Sequence, residues 1–162
     1  MPQQPNSFLN FQVRRADEGE SVSGLIAFTA VRGKIVTHQL DADGNKILVL
    51  ADGQRGFHLE RDVVSEIPLE NIVFQKDFIH PDLVNTDVSA RKCQEVECEG
   101  ADLIQLSGTG LISSSTPLNT ALGVTQGKYR VKQSGDELQG YLRGVIPAIG
   151  DGDFRIMVEE VD

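Results

Sequence analysis

The sequence predicts an all-β protein of short antiparallel strands, folded as a sandwich or small barrel. Apolar runs of four to six residues, rich in Val, Ile, Phe and Tyr, recur along the chain. Turn signals separate them about every 8–12 residues, most of them carrying Gly, which is the spacing of sandwiches and barrels. No long segment keeps apolar residues at i, i+3, i+4 and i+7, as an amphipathic helix does.

The first 21 residues are polar, with Phe8, Leu9, Phe11 and Val13 as their large apolar groups. They suggest an extended arm, either frayed or docked by its aromatic pair on a neighbouring subunit or partner. From Val22 the pattern is β. "VSGLIAFTAV" and "GKIVTHQL" are bounded by Gly, and "LDADGNKILVL" sets an Asp/Gly/Asn cluster between two apolar runs, a hairpin signal. "FHLERDVV" and "ENIVF" predict two more strands. "KDFIHPDLVNTD" predicts a loop, because Pro81 removes a donor and pushes His80 into an extended conformation.

The second half continues with "ARKCQEVEC", "DLIQLS", "ALGVT", "KYRVKQ", "ELQGYLRGVI" and "FRIMVEE". "STPLNTALG" is the one helical candidate, with Thr116 as cap, Pro117 in the first helical position and Gly123 as terminator; its Thr and Val surroundings also suit a strand. Apolar periodicity lapses from Gln75 to Asp87. The expected organisation is therefore an arm over 1–21, a β domain over 22–80 and a second over 88–162.

Composition excludes several classes. The chain has 162 residues, enough for one domain without disulfide or metal support. With 15 basic and 24 acidic residues the net charge is −9, which opposes any nonspecific hold on nucleic acid or anionic lipid. The apolar runs are far shorter than the ~20 residues of a membrane helix. "MPQQPNSFLN" lacks the basic and apolar regions of a signal peptide. Two cysteines make no disulfide framework and suit a reducing compartment.

Candidate chemical motifs each have a plainer explanation. Asp41, Asp43, Asn45 and Asp52 mimic a calcium loop, but Lys46 stands where Gly is needed and Asp52 where the bidentate Glu belongs, so a polar hairpin turn is preferred. The carboxylates of "GDGD" at 150–153 suit a turn entering the last strand. Cys93 and Cys98 have four residues between them where zinc sites use two, and five positions along a strand would put the thiols on opposite faces. His38, His58 and His80 stand far apart, and spacing alone assembles no triad from them. "SGTG" at 107–110 lacks a phosphate-binding Lys and predicts a turn. With no Trp, seven Phe and two Tyr, stacking platforms for sugars or bases are scarce; Tyr129, Arg130 and Lys132 form one small patch of that kind, expected to be a solvated strand face. No catalytic residue, cofactor or metal ligand is assigned.

The stretch from about 103 to 160 resembles the head decoration, or capsid cement, proteins of tailed bacteriophages. The matching positions are Gly123 and Val124, Gly127 to Val131, Ser134 to Asp136, Gly140 to Val145, and Asp153 to Val158. They cover about a third of the chain, and the N-terminal half shows no comparable match. The resemblance implies a non-enzymatic virion protein, made in the host cytoplasm and bound to the capsid exterior as a homotrimer or homodimer. Its partner would be the major capsid protein. Phe8, Leu9, Phe11, Arg14 and Arg15 are the residues expected to touch the capsid, and deleting 1–15 is expected to leave the fold intact. The alternatives are a tail, connector or baseplate component, a β-sandwich ligand- or carbohydrate-binding module, and a jelly-roll enzyme using His38 and His58.

Overall fold

The computed structural model describes residues 11–26, 30–40, 42–44, 46–61, 86–99, 103–104, 108–147 and 154–161. Nine strands are described: β1 (Phe11–Ile26), β2 (Ile35–Leu40), β3 (Lys46–Leu50), β4 (Phe57–Leu59), β5 (Thr86–Glu99), β6 (Ala121–Thr125), β7 (Lys128–Val131), β8 (Gly140–Ile146) and β9 (Arg155–Glu160). They form one sheet in the order β1-β3-β2-β4-β5-β9-β8-β6-β7, and β1 also pairs with β5. That extra pairing closes β1, β3, β2, β4 and β5 into a ring, with β9, β8, β6 and β7 continuing from it as a curled extension. All pairings between strands are antiparallel except the short parallel contact Leu25↔Ile47 between β1 and β3.

The all-β expectation is met, and the β2–β3 hairpin forms where the Asp/Gly/Asn cluster predicts it, from Val36↔Leu50 to Leu40↔Lys46. The strands of the proposed 22–80 and 88–162 units join a single sheet. β5 is the reason: one edge pairs with β1 from Phe11↔Cys98 to Ile26↔Thr86, and the other takes β4 and then β9. Most of the predicted boundary at 75–87 lies outside the described residues.

Two corrections follow. Residues 11–21 of the expected 1–21 arm are extended, but they dock on this chain itself, as the first part of β1 laid along β5. And 115–123 is not a helix. Asn119 takes a left-handed φ of 68°, and Gly123 sits inside β6 paired with Arg130. The Thr116 hydroxyl accepts the Ser113 amide at 2.9 Å, capping a turn.

The larger core cluster includes Phe11, Ile35, Cys98, Leu122, Leu142 and Val158, so it draws on both ends of the chain; a smaller one gathers Ile26, Val36, Leu48 and Ala90. Both cysteines are free and belong to the larger cluster. The expected opposite faces are a further correction: the β1–β5 pairing shifts register between Glu95 and Cys93, which breaks the period of two, and Cys93 lines the core with Phe11 and Val13, whose partners on β5 are Cys98 and Val96. β5 is buried on both faces where β1 and β9 flank it, with Val96, Glu97 and Cys98 all sealed.

Candidate functional site

The period of two in β9 carries an acid into the core. Arg155 to Glu160 alternate between half-buried and buried, so the register that buries Ile156 and Val158 buries Glu160 as the next inward position. On β7 the same alternation turns Tyr129 inward; β4 is buried at successive positions, and His58 is sealed there. These three side chains and Gln139 meet at one point.

One carboxylate oxygen organises the cluster. Glu160 Oε2 accepts from His58 Nε2 at 2.8 Å, from the Tyr129 hydroxyl at 2.8 Å and from Gln139 Nε2 at 2.6 Å. The other ring nitrogen of His58 lies 2.7 Å from the Gly33 carbonyl oxygen. With an acceptor at each nitrogen, the ring is satisfied as the imidazolium, donating both N–H groups. Gln139 also clasps Gly56: its Oε1 accepts the Gly56 amide at 2.9 Å and its Nε2 donates to the Gly56 carbonyl at 3.2 Å. Gly56 has no room for a side chain there, since a Cβ would stand 2.6 Å from the Val36 carbonyl oxygen.

Burial by itself would lower the His58 pKa, but the Glu160 carboxylate, its hydrogen bond and the Gly33 carbonyl outweigh it and hold the ring above its usual 6.5. Burial and the same carboxylate raise the Tyr129 phenol. Burial pushes the Cys93 thiol up to about 12, and Cys98 rises likewise. A thiol so held is protonated at neutral pH and is a poor nucleophile. An imidazolium engaged at both nitrogens is a poor base. The cluster acts as a polar clamp that ties β4 and the Gly33 turn to β7, β8 and β9.

Two further clamps lie outside this core. Buried Glu97 takes Arg14 Nη2 at 3.1 Å on one oxygen and Arg155 Nη2 at 2.9 Å on the other, bridging β1, β5 and β9. Arg130 grips Asp136 through Nε at 2.9 Å and Nη2 at 2.6 Å, a bidentate pair, while the Gln133 amide donates to Asp136 at 2.9 Å. The guanidinium holds the Asp136 carboxyl below its usual value.

The residues expected to touch a capsid fare differently. Phe8 and Leu9 lie outside the described residues. Phe11 is 2% exposed and belongs to the chain's own core, and Arg14 is spent on Glu97. Arg15 remains more than half exposed, with long ion pairs of 3.9 Å to Glu95 and Glu159. A cut after residue 15 would remove Phe11 from the core and Arg14 from Glu97, so the expected tolerance of that deletion does not hold.

Other motifs resolve plainly. Asp43 and Asp52 are exposed, and Asp52 accepts the Thr125 hydroxyl at 3.2 Å; Asp41 and Asn45 lie outside the described residues. So do 150–153 and His80. Gly108 and Gly110 take left-handed φ values of 86° and 85°, as the predicted turn requires. Tyr129 is wholly buried, which removes it from the surface patch with Arg130 and Lys132. His38 is exposed while His58 is sealed, and among the described residues no group of three His, Cys, Asp or Glu could hold a metal ion.

Sequence reasoning missed the clamp residues Glu160, Tyr129, Gln139 and Glu97. The signal for Glu160 was present in "FRIMVEE", where strict alternation from Ile156 leads to it. Compared with known proteins, the chain matches no family model, no curated protein and no solved structure.

Proposed function

We propose that the chain is a non-enzymatic structural protein of a tailed-phage virion, binding the outside of the capsid shell and stabilising it. One observation carries this reading: the segments that resemble capsid cement proteins fall on consecutive elements, β6 to β9, and their residues specify backbone. Gly127, at a left-handed φ of 79°, turns β6 into β7. Asp136 folds its turn back onto Arg130 against the flat surface of Gly123. Gly140 to Val145 lie in β8, and the run that closes the motif enters β9. Residues that build a scaffold suit a protein that works through its surface.

Two features support the role. The net charge of −9 favours a protein partner over nucleic acid. The 111–120 loop presents Leu111 at 47% and Leu118 at 57% exposure. That loop is held by its own hydrogen bonds, among them the Asn119 amide to the Leu142 carbonyl at 2.6 Å and the Arg143 guanidinium to the Asn119 side chain. Ordered apolar side chains of this kind lose little entropy on docking. Several linked copies would add their contacts into a tight hold on the shell.

The test is size-exclusion chromatography with light scattering, on the chain alone and mixed with expanded heads of the virus that encodes it. A dimer or trimer that co-migrates with heads is expected. A monomer that ignores heads overturns the reading, and rings or tubes transfer it to a connector or tail role.

A further inference from the structure

Among the described residues, Leu40, Leu50, Leu111 and Leu118 are the large apolar side chains left exposed. The first two sit among charges. Leu40 pairs with Lys46 and precedes Asp41, and Leu50 stands two residues before Asp52. The other two do not. The run from Leu103 to Gly127 holds no Asp, Glu, Lys, Arg or His, in a chain that is 24% charged. Leu111 and Leu118 are exposed within that run, with Ser114, Ser115 and Pro117 exposed beside them.

The fold keeps these leucines outside. Ile112, next to Leu111, is 1% exposed and roots the loop in the larger core. The Thr116 amide donates to the Ser113 carbonyl at 3.1 Å, and the Thr120 hydroxyl donates to the Pro117 carbonyl at 2.6 Å. Asn119 takes a left-handed φ of 68°, which costs free energy in a residue other than Gly and persists where the surroundings fix it. Arg143 fixes it here. Its guanidinium binds the Asn119 side chain, donates to Glu159 at 3.2 Å and lies 5.2 Å from the centroid of the Tyr141 ring. Held at both ends, the loop cannot swing either leucine inward, and the patch keeps its shape in the free chain.

Charge selects the occupant. Two copies of a chain with net charge −9 repel, and a contact through their acidic surfaces sets carboxylate against carboxylate. An uncharged patch lets copies meet without that cost. A basic partner would be held by the acids and would gain nothing here. We propose that the 111–120 loop is a self-association surface, on which Leu111, Pro117 and Leu118 pack against the same loop of a second copy about a two-fold axis. The loop is shorter than the roughly 20–30 residues that a standard interface uses on each side, so the pairing is weak in solution and is reinforced where many copies share one support. The assignment rests on the virion reading for that support and deepens it, giving the loop to the neighbouring copy and another surface to the shell.

Sedimentation velocity of the full chain over about a hundredfold range of concentration is the test, and the parent should pass from monomer to dimer. Leu118→Asp, on a side chain 57% exposed, should keep the parent's circular dichroism and weaken pairing by about tenfold or more, because like charges then face each other. Leu40→Asp, at 68% exposure, should pair as the parent does. Ser114→Glu and Ser114→Lys should each be monomeric alone and pair when mixed. A parent that stays monomeric, a Leu118→Asp chain that pairs undiminished, a Leu40→Asp chain that dissociates or a Ser114 mixture that stays monomeric overturns the proposal. Leu118→Asp should still co-sediment with expanded heads that bind the parent. Its loss from heads gives the loop to the shell and overturns this assignment alone, whereas a parent that pairs through the loop yet ignores heads overturns the virion reading alone.

Discussion

His58 and Glu160, 102 residues apart in the chain, meet as a buried ion pair at 2.8 Å with both side chains sealed from solvent. The folded ring holds its proton above the ordinary 6.5. The proton therefore stabilises the fold in full below pH about 6.5, and that contribution is lost as pH rises through the raised folded value. Urea unfolding should show stability falling as pH climbs above that point. His58→Gln should remove this dependence and cost about 3–5 kcal/mol near pH 6, because Glu160 is left buried without its counter-charge. A wild-type profile flat across that range would show that the pair does not titrate with folding.

Glu97 is the more replaceable clamp. Its side chain is 5% exposed, while Arg14 and Arg155 are 48% and 24% exposed. Once the carboxylate is removed, both guanidiniums can turn toward water. Glu97→Gln should then cost about 1–3 kcal/mol, in the range of a charged hydrogen bond. Arg14→Ala should cost less, about 0.2–1 kcal/mol, as for an exposed pair. Chemical denaturation of the two variants checks the order; Arg14→Ala costing as much as Glu97→Gln would contradict it.

How much of this was legible in the sequence depends on range. Turns and strand alternation are local, so the β2–β3 hairpin and strands β6 to β9 could be placed from Gly positions and period-two runs. The partner of a strand is not local. "FLNFQVRR" is too polar to announce a core strand, and only its pairing with Cys98, Glu97 and Val96 of β5 makes Phe11 internal. The clamps fail for the same reason. Arg14 looks like a surface base until a strand 83 residues away presents Glu97 to it. His58 carries no motif, because its partners arrive from Gly33, Tyr129 and Glu160.

Gly123 lies inside β6 and has an ordinary strand backbone, so its reason to be Gly is contact, not conformation. A Cβ there would stand 2.6 Å from Asp136 Oδ2 and 3.1 Å from its Cβ and Cγ. Gly123→Ala must displace Asp136 from Arg130 and should cost about 1–3 kcal/mol, as overpacking does. The folded Asp136 carboxyl sits below its ordinary 3.8, so its contribution is present above that value and is lost as pH falls through the lower folded value. Acid titration followed by circular dichroism should show Gly123→Ala unfolding at higher pH than wild type. Identical acid midpoints would mean that the Asp136 clamp survives the methyl group.

Gly33 combines both constraints. Its φ of 97° is strained for any other residue, and a Cβ would lie 2.5 Å from Phe11 Cγ. Gly33→Ala should therefore lose stability twice, by about 1–3 kcal/mol for the backbone and by about 1–3 kcal/mol for the clash. Phe11→Ala removes the Cγ and Cδ2 atoms that stand nearest, at 2.5 and 2.8 Å, and leaves the backbone term untouched. In that background Gly33→Ala should cost about 1–2 kcal/mol less than in wild type, the coupling expected of residues in direct contact. A double-mutant cycle by urea unfolding measures it. Additive costs would place the Phe11 ring away from Gly33.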